Sequence, residues 1–118
     1  MSSIDLPHHH CEWNPELNKV ADIDYFQKAA DIFRLLGDGS RLRIFWLLCH
    51  CEECVINISA LVNMSSPAVS HHLRQLKISG LITSRRDGKE MYYKAADTEE
   101  SKILHLAIEK ILEITCPG

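Results

Sequence analysis

The pair Asp87-Gly88, set between LITSRR and KEMYYK, does most to limit what this 118-residue chain can fold into. Asp-Gly between two strand-forming runs is the strongest short-range hairpin signal, because glycine takes the positive φ that a tight turn demands. Directly upstream lies NMSSPAVSHHLRQLKISG. There Ser66-Pro67 supplies a helix start, a capping hydroxyl followed by proline at the first helical position. Val69, Leu73 and Leu76 form a buried stripe at helical spacing, and Gly80 supplies the stop. A helix that runs straight into a short hairpin leaves few architectures open.

The flanking elements narrow them further. Residues 1–16, with Pro7, Pro15 and the run His8-His9-His10-Cys11, read as a flexible arm, and residues 17–118 as one domain. From Leu17 to Leu36 the residues Val20, Ile23, Phe26, Ala30 and Phe33 recur at helical steps. Gly37-Asp38-Gly39 breaks that helix, and Ser40 caps the next, whose inner face carries Leu42, Phe45 and Leu48. A short helix over Val55 to Val62 turns Val55, Ile58, Leu61 and Val62 inward. After the hairpin, Asp97 and Glu100 open a last helix that runs to about Thr115, with a wide apolar face. The sum is a mainly α fold with a small β-hairpin: a helix-turn-helix, with Asn63-Met64-Ser65 as the turn, followed by a wing.

Charge follows the same division. The net charge of −3 conceals a basic segment, residues 66–94, in which six Lys or Arg face two carboxylates. A basic segment between acidic flanks is a nucleic-acid footprint. In a helix-turn-helix the second helix enters the major groove by its N-terminal half. Ser66, Ser70, His71 and Arg74 are the side chains placed to meet base edges, while Lys77, Arg85, Arg86 and Lys89 suit phosphates and the adjacent minor groove. His72, one step round, can point into the protein. No run approaches the roughly 18–20 apolar residues that span a bilayer, and no secretory signal opens the chain, so the cytoplasm is expected. Nothing resembles a catalytic triad, phosphate loop or substrate pocket, so neither an enzyme nor a small-molecule substrate is expected.

PAVSHHLRQLKISGLI, with LLGDGSRLRIFWLLC before it and DGKEMYYKA after it, resembles the ArsR/SmtB family of winged-helix repressors over residues 24–116. The resemblance implies a homodimer, held together by the first and last helices, on inverted-repeat double-stranded operator DNA. It also implies a metal ion as effector, whose binding releases the DNA.

The segment CHCEEC, Cys49 to Cys54, bears on that effector. Five cysteines in a reducing compartment argue for metal ligation or redox switching over a disulfide framework. On one continuous helix Cys49, Cys51 and Cys54 would lie at about 0°, 200° and 140°, so their thiols converge only if the helix ends near His50. Thiolate donors suit a thiophilic ion: Zn(II), Cd(II), Pb(II) or arsenite. Arsenic-sensing family members carry this Cys-x-Cys-x-x-Cys spacing. The paired cysteines of cadmium and lead sensors fall in register on Cys54 and Ile56, and their arm cysteine on Cys11. The resemblance therefore implies a ligand set of Cys11, Cys49, Cys51 and Cys54. The zinc-type site of the last helix falls on Asp97, Glu99, Lys110 and Glu113 and lacks its histidines. His105 and Glu109, four apart on that helix, could hold a metal but read more simply as a surface pair. The alternative is a thiol redox or persulfide sensor that joins Cys49 or Cys51 to Cys116.

Overall fold

A computed structural model describes residues 7–8 and 14–116. The chain divides into two compact units, up to Arg34 and from Leu35 onward.

In the first unit a 3-10 helix, Pro15–Ala21, is capped by Asn14, whose side chain accepts from the Glu16 N–H. Helix α1, Ile23–Leu36, follows. The single helix expected from Leu17 is thus split at Asp22, because that residue turns extended and its carboxylate accepts from the Tyr25 N–H at 3.1 Å, starting a new helix. Ile23 and Phe33 stay 76% and 71% exposed, so the apolar face of α1 is open to solvent.

The second unit is built on α2, Gly39–His50. Asp38 rather than Ser40 caps it, taking the Ser40 and Arg41 N–H groups, which leaves a charge where the helix dipole favours one. Ile44, Phe45 and Leu48 of α2 are fully buried and meet Ile58 and Val62 of α3, Val55–Val62, and Val69, Leu73 and Leu76 of α4, Ser66–Ile78. Leu61, expected inside, is instead 59% exposed. The turn between α3 and α4 hinges on Asn63 at φ 55°, a left-handed conformation that asparagine tolerates better than most residues. The α4 cap is Ser65, one residue before the expected position, and it accepts from the Ala68 N–H.

Strands β2, Ile82–Asp87, and β3, Glu90–Ala95, form the wing, closed by Gly88-Lys89 with Asp87 opposite Glu90. Gly88 sits at φ 66° at the first position of the two-residue loop, as a type II′ turn requires. A two-residue strand β1, Glu53–Cys54, pairs antiparallel with β3 and completes a three-stranded sheet in the order β1-β3-β2. Helix α5, Glu99–Thr115, is capped by Thr98 and pinned by the buried Ser101, whose hydroxyl donates to the Leu81 carbonyl at 2.9 Å. Its Ile108 enters the core, whereas Ile103, Leu106, Ile111 and Ile114 stay exposed. No helix among the described residues is long and apolar enough to cross a membrane.

Candidate nucleic-acid interface and ligand cluster

Helix α4 is amphipathic in the manner a reading helix needs. Val69, Leu73 and Leu76 anchor it to the core, and this fixes Ser66, His71, Arg74 and Lys77 on the exposed side with Ser70 at the margin. Arg74 is exposed and forms no ion pair among the described residues, so its guanidinium is available to an incoming acceptor. Ser66 shares a hydroxyl contact with Ser59 of α3 at 3.2 Å, which ties the two helices at the turn.

The wing cations fall into two kinds. Arg86 and Lys89 are exposed at the hairpin tip. Lys77 reaches from α4 to Ser84 of β2 at 2.5 Å, joining reading helix and wing. Arg85 is already engaged: its Nε and Nη2 donate to Glu52 at 3.0 and 2.6 Å, and its guanidinium lies 5.0 Å from the Tyr92 ring centroid. That bidentate pair holds the Glu52 carboxyl below its usual range. Arg85 therefore acts in this structure as a strut between the wing and the loop before β1.

His72 turns away from the presented face. Its Nδ1 is buried without a hydrogen-bond partner among the described residues, and burial, with Arg41 and His71 adding to it and Asp38 opposing, lowers its pKa. The fold favours neutral imidazole, whereas the unfolded chain takes up a proton near pH 6.5. Stability from this group is thus complete above about pH 6.5 and is lost as pH falls below it toward the depressed value. Thermal unfolding from pH 7.5 to 5.5 should show a smaller drop in midpoint for His72→Gln than for the parent. Equal slopes would remove His72 from that role.

The cysteines depart from the expectation. Cys51 donates its thiol back to the Leu47 carbonyl at 3.4 Å, Cys54 is 7% exposed on the core side, and Cys49 packs against the same core. Helix α2 does end at His50 and α3 restarts at Val55, the break that convergence needed, but between them Cys54 pairs with Tyr92 in β1 and the chain runs extended there. Burial, with the nearby Glu109 carboxylate second, pushes the Cys49 thiol up to about 11, and burial followed by Glu53 raises Cys51 as well. Cys49, Cys51 and Cys54 thus form no ligand group, and Cys11 lies outside the described residues. Asp97 pairs with Lys102 and Lys110 with Glu113, so three of the four zinc-type positions are engaged in surface ion pairs.

Ligand atoms converge elsewhere. Among the described residues, the one group of three or more His, Cys, Asp or Glu side chains whose ligand atoms lie within 4.8 Å of one another is His50, His105 and Glu109. Glu109 Oε1 lies 3.0 Å from the Nε2 of each histidine, and the two Nε2 atoms are 3.2 Å apart. The sequence offered the i, i+4 pair on α5. It gave no sign that His50, at the end of α2, would close the triangle.

A helix-turn-helix with an exposed polar face and a basic wing defines a winged helix-turn-helix DNA-binding protein. The family model described as "Bacterial regulatory protein, arsR family" matches residues 38–84. The chain is 38% identical to a transcriptional repressor SmtB homolog of Synechocystis over 82% of its length and 74% of that protein's. It is 32% identical to the cadmium resistance transcriptional regulatory protein CadC of Listeria innocua, over 85% and 84% of the two chains. The solution structure of a homodimeric winged helix-turn-helix DNA-binding domain from Mycobacterium bovis superposes with a TM-score of 0.65 at 26% identity, covering 88% of this chain and 91% of that one. The chain belongs to the ArsR/SmtB family of DNA-binding transcriptional regulators, which are not enzymes.

Proposed function

We propose that this protein is a repressor that binds inverted-repeat operator DNA as a homodimer and leaves it when a metal ion binds. The observation that carries the reading is the polar face of α4, with Ser66, Ser70, His71 and Arg74 held outward by buried Val69, Leu73 and Leu76. Arg86 and Lys89 at the wing tip, with Lys77, supply phosphate contacts, and Arg85 sets the wing's position through Glu52. The solvent-open apolar face of α1 and, separately, that of α5 are the surfaces a second copy would cover. The homodimeric state of the M. bovis domain supports this assembly.

Metal as effector draws support from the cadmium resistance regulator among the relatives. A thiolate site of Cys11, Cys49, Cys51 and Cys54 would require Cys51 to leave the Leu47 carbonyl and Cys54 to leave the core. The redox alternative fares worse. Leu42, near the start of α2, lines a cavity with Leu112, whereas His50 at its end meets His105, so α2 and α5 run antiparallel. Cys116 therefore lies about 10 Å along α5 beyond Glu109, on the side away from Cys49 and Cys51, and a disulfide needs Cα atoms within about 7 Å.

Fluorescence anisotropy on reduced protein tests the whole reading. Operator binding should weaken steeply with salt, as phosphate contacts demand. It should also weaken with at least one of Zn(II), Co(II), Ni(II), Cd(II), Pb(II) or arsenite and return on chelation. Affinity indifferent to every ion would sink the metal-responsive reading, and absence of specific binding would sink the repressor reading itself.

A further inference from the structure

We propose that His50, His105 and Glu109 form a site for a borderline divalent metal ion of the Zn(II), Co(II) or Ni(II) class, bridging the end of α2 to the middle of α5. Three ligand atoms stand in a triangle of edges 3.0, 3.0 and 3.2 Å. For bonds of about 2.0–2.1 Å to such an ion, tetrahedral ligands stand about 3.3–3.4 Å apart and octahedral ones about 2.8–3.0 Å apart. The observed edges fall between these values, so an ion would need little movement of the side chains.

Hydrogen bonding cannot satisfy this triangle. If each Nε2 carries hydrogen and donates to Glu109, the two N–H groups face each other at 3.2 Å. If one imidazole donates to the other, the acceptor's ring nitrogen faces the carboxylate with lone pair against lone pair. One edge is always unsatisfied. A cation that accepts all three lone pairs is the arrangement without conflict. Two imidazoles and a carboxylate select borderline ions and disfavour arsenite, which prefers thiolates. The side chains of His50, His105 and Glu109 are 45%, 31% and 42% exposed, so an ion can enter and a water can complete the coordination.

The position also gives the ion leverage. Helix α2 holds the reading helix through Arg41, whose Nη1 donates to Gln75 of α4 at 2.7 Å. Helix α5 holds the α4–β2 junction through Ser101 and the Leu81 carbonyl. An ion that fixes α2 against α5 therefore acts on two supports of α4. This regulatory role rests on the repressor reading above; the binding site itself does not.

Binding is read first on the protein alone. The Trp46 ring lies 4.4 Å from that of His50, so Co(II) in the site should quench its emission in the full chain carrying Trp13→Phe. We expect one Co(II) per protomer, with no thiolate charge-transfer band and competition by Zn(II). His105→Gln and Glu109→Gln, checked for unchanged helical circular dichroism, should each weaken binding by about 100-fold or more, beyond the 10–100-fold typical of losing a residue that merely supports a ligand. Cys51→Ser with Cys54→Ser should bind Co(II) as the parent does.

Binding that survives both α5 variants would overturn the site, as would a thiolate band that Cys51→Ser removes. Binding that disappears only when His8, His9 and His10 become alanine would do the same. The regulatory role is read separately, as operator release by Zn(II) in the parent and its loss in Glu109→Gln. Intact Co(II) binding with operator affinity unchanged by Zn(II) would overturn the role and leave the site standing.

Discussion

Phe45→Ala should cost about 3–5 kcal/mol and leave much of the domain unfolded at 37 °C. Phe45 is fully buried at the centre of α2, in the core that also takes Ile58, Val69, Leu73 and Leu81. A ring deleted there leaves a cavity that relaxation fills only in part. The core is small for the work it does, since it anchors α3, α4, the wing and Ile108 of α5 together. Denaturant unfolding followed by circular dichroism measures the loss. A change below about 1 kcal/mol would mean that the cavity collapses or that dimerisation supplies most of the stability.

Arg74→Ala should leave that stability untouched and strike at the DNA. Arg74 is exposed and makes no ion pair among the described residues, so its removal deletes no internal contact of that kind. A good bidentate arginine–guanine pair is worth about 1–3 kcal/mol, and a dimer loses it in both half-sites. Operator affinity should therefore fall by roughly 30-fold or more, while non-specific binding falls far less. If specific and non-specific affinity dropped equally, Arg74 would be a phosphate contact and base reading would pass to His71, Ser66 and Ser70. Arg85→Ala offers a contrast: it releases Glu52 and loosens the wing, so its effect should appear in the order of the hairpin as well as in affinity.

What was legible in the sequence was local. Helix α3 spans Val55–Val62, as helical spacing indicates, and α4 starts within one residue of the place that Ser66-Pro67 marks, because both are set by contacts within a few residues. The hairpin follows from one turn and two strand-forming runs, with its loop at Gly88-Lys89, one residue beyond the Asp87-Gly88 pair. The caps shifted by one or two residues, to Asp38, Ser65 and Thr98, since several neighbouring side chains could accept the same N–H groups.

What the tertiary structure decided was each pairing between distant residues. Glu52 meets Arg85 across 33 positions, and His50 meets His105 across 55 and Glu109 across 59. The antiparallel packing of α2 on α5 creates the histidine–carboxylate triangle, and the pairing of β1 with β3 fixes Cys54 in an extended segment, where Cys49, Cys51 and Cys54 form no three-ligand group. By itself the sequence determined a winged helix with a basic reading face, because periodicity, capping and turn chemistry act over a few residues. It could not determine which ligands meet, because CHCEEC carries its donors within six residues, yet strand pairing and helix packing, acting over tens of residues, decide where those donors point.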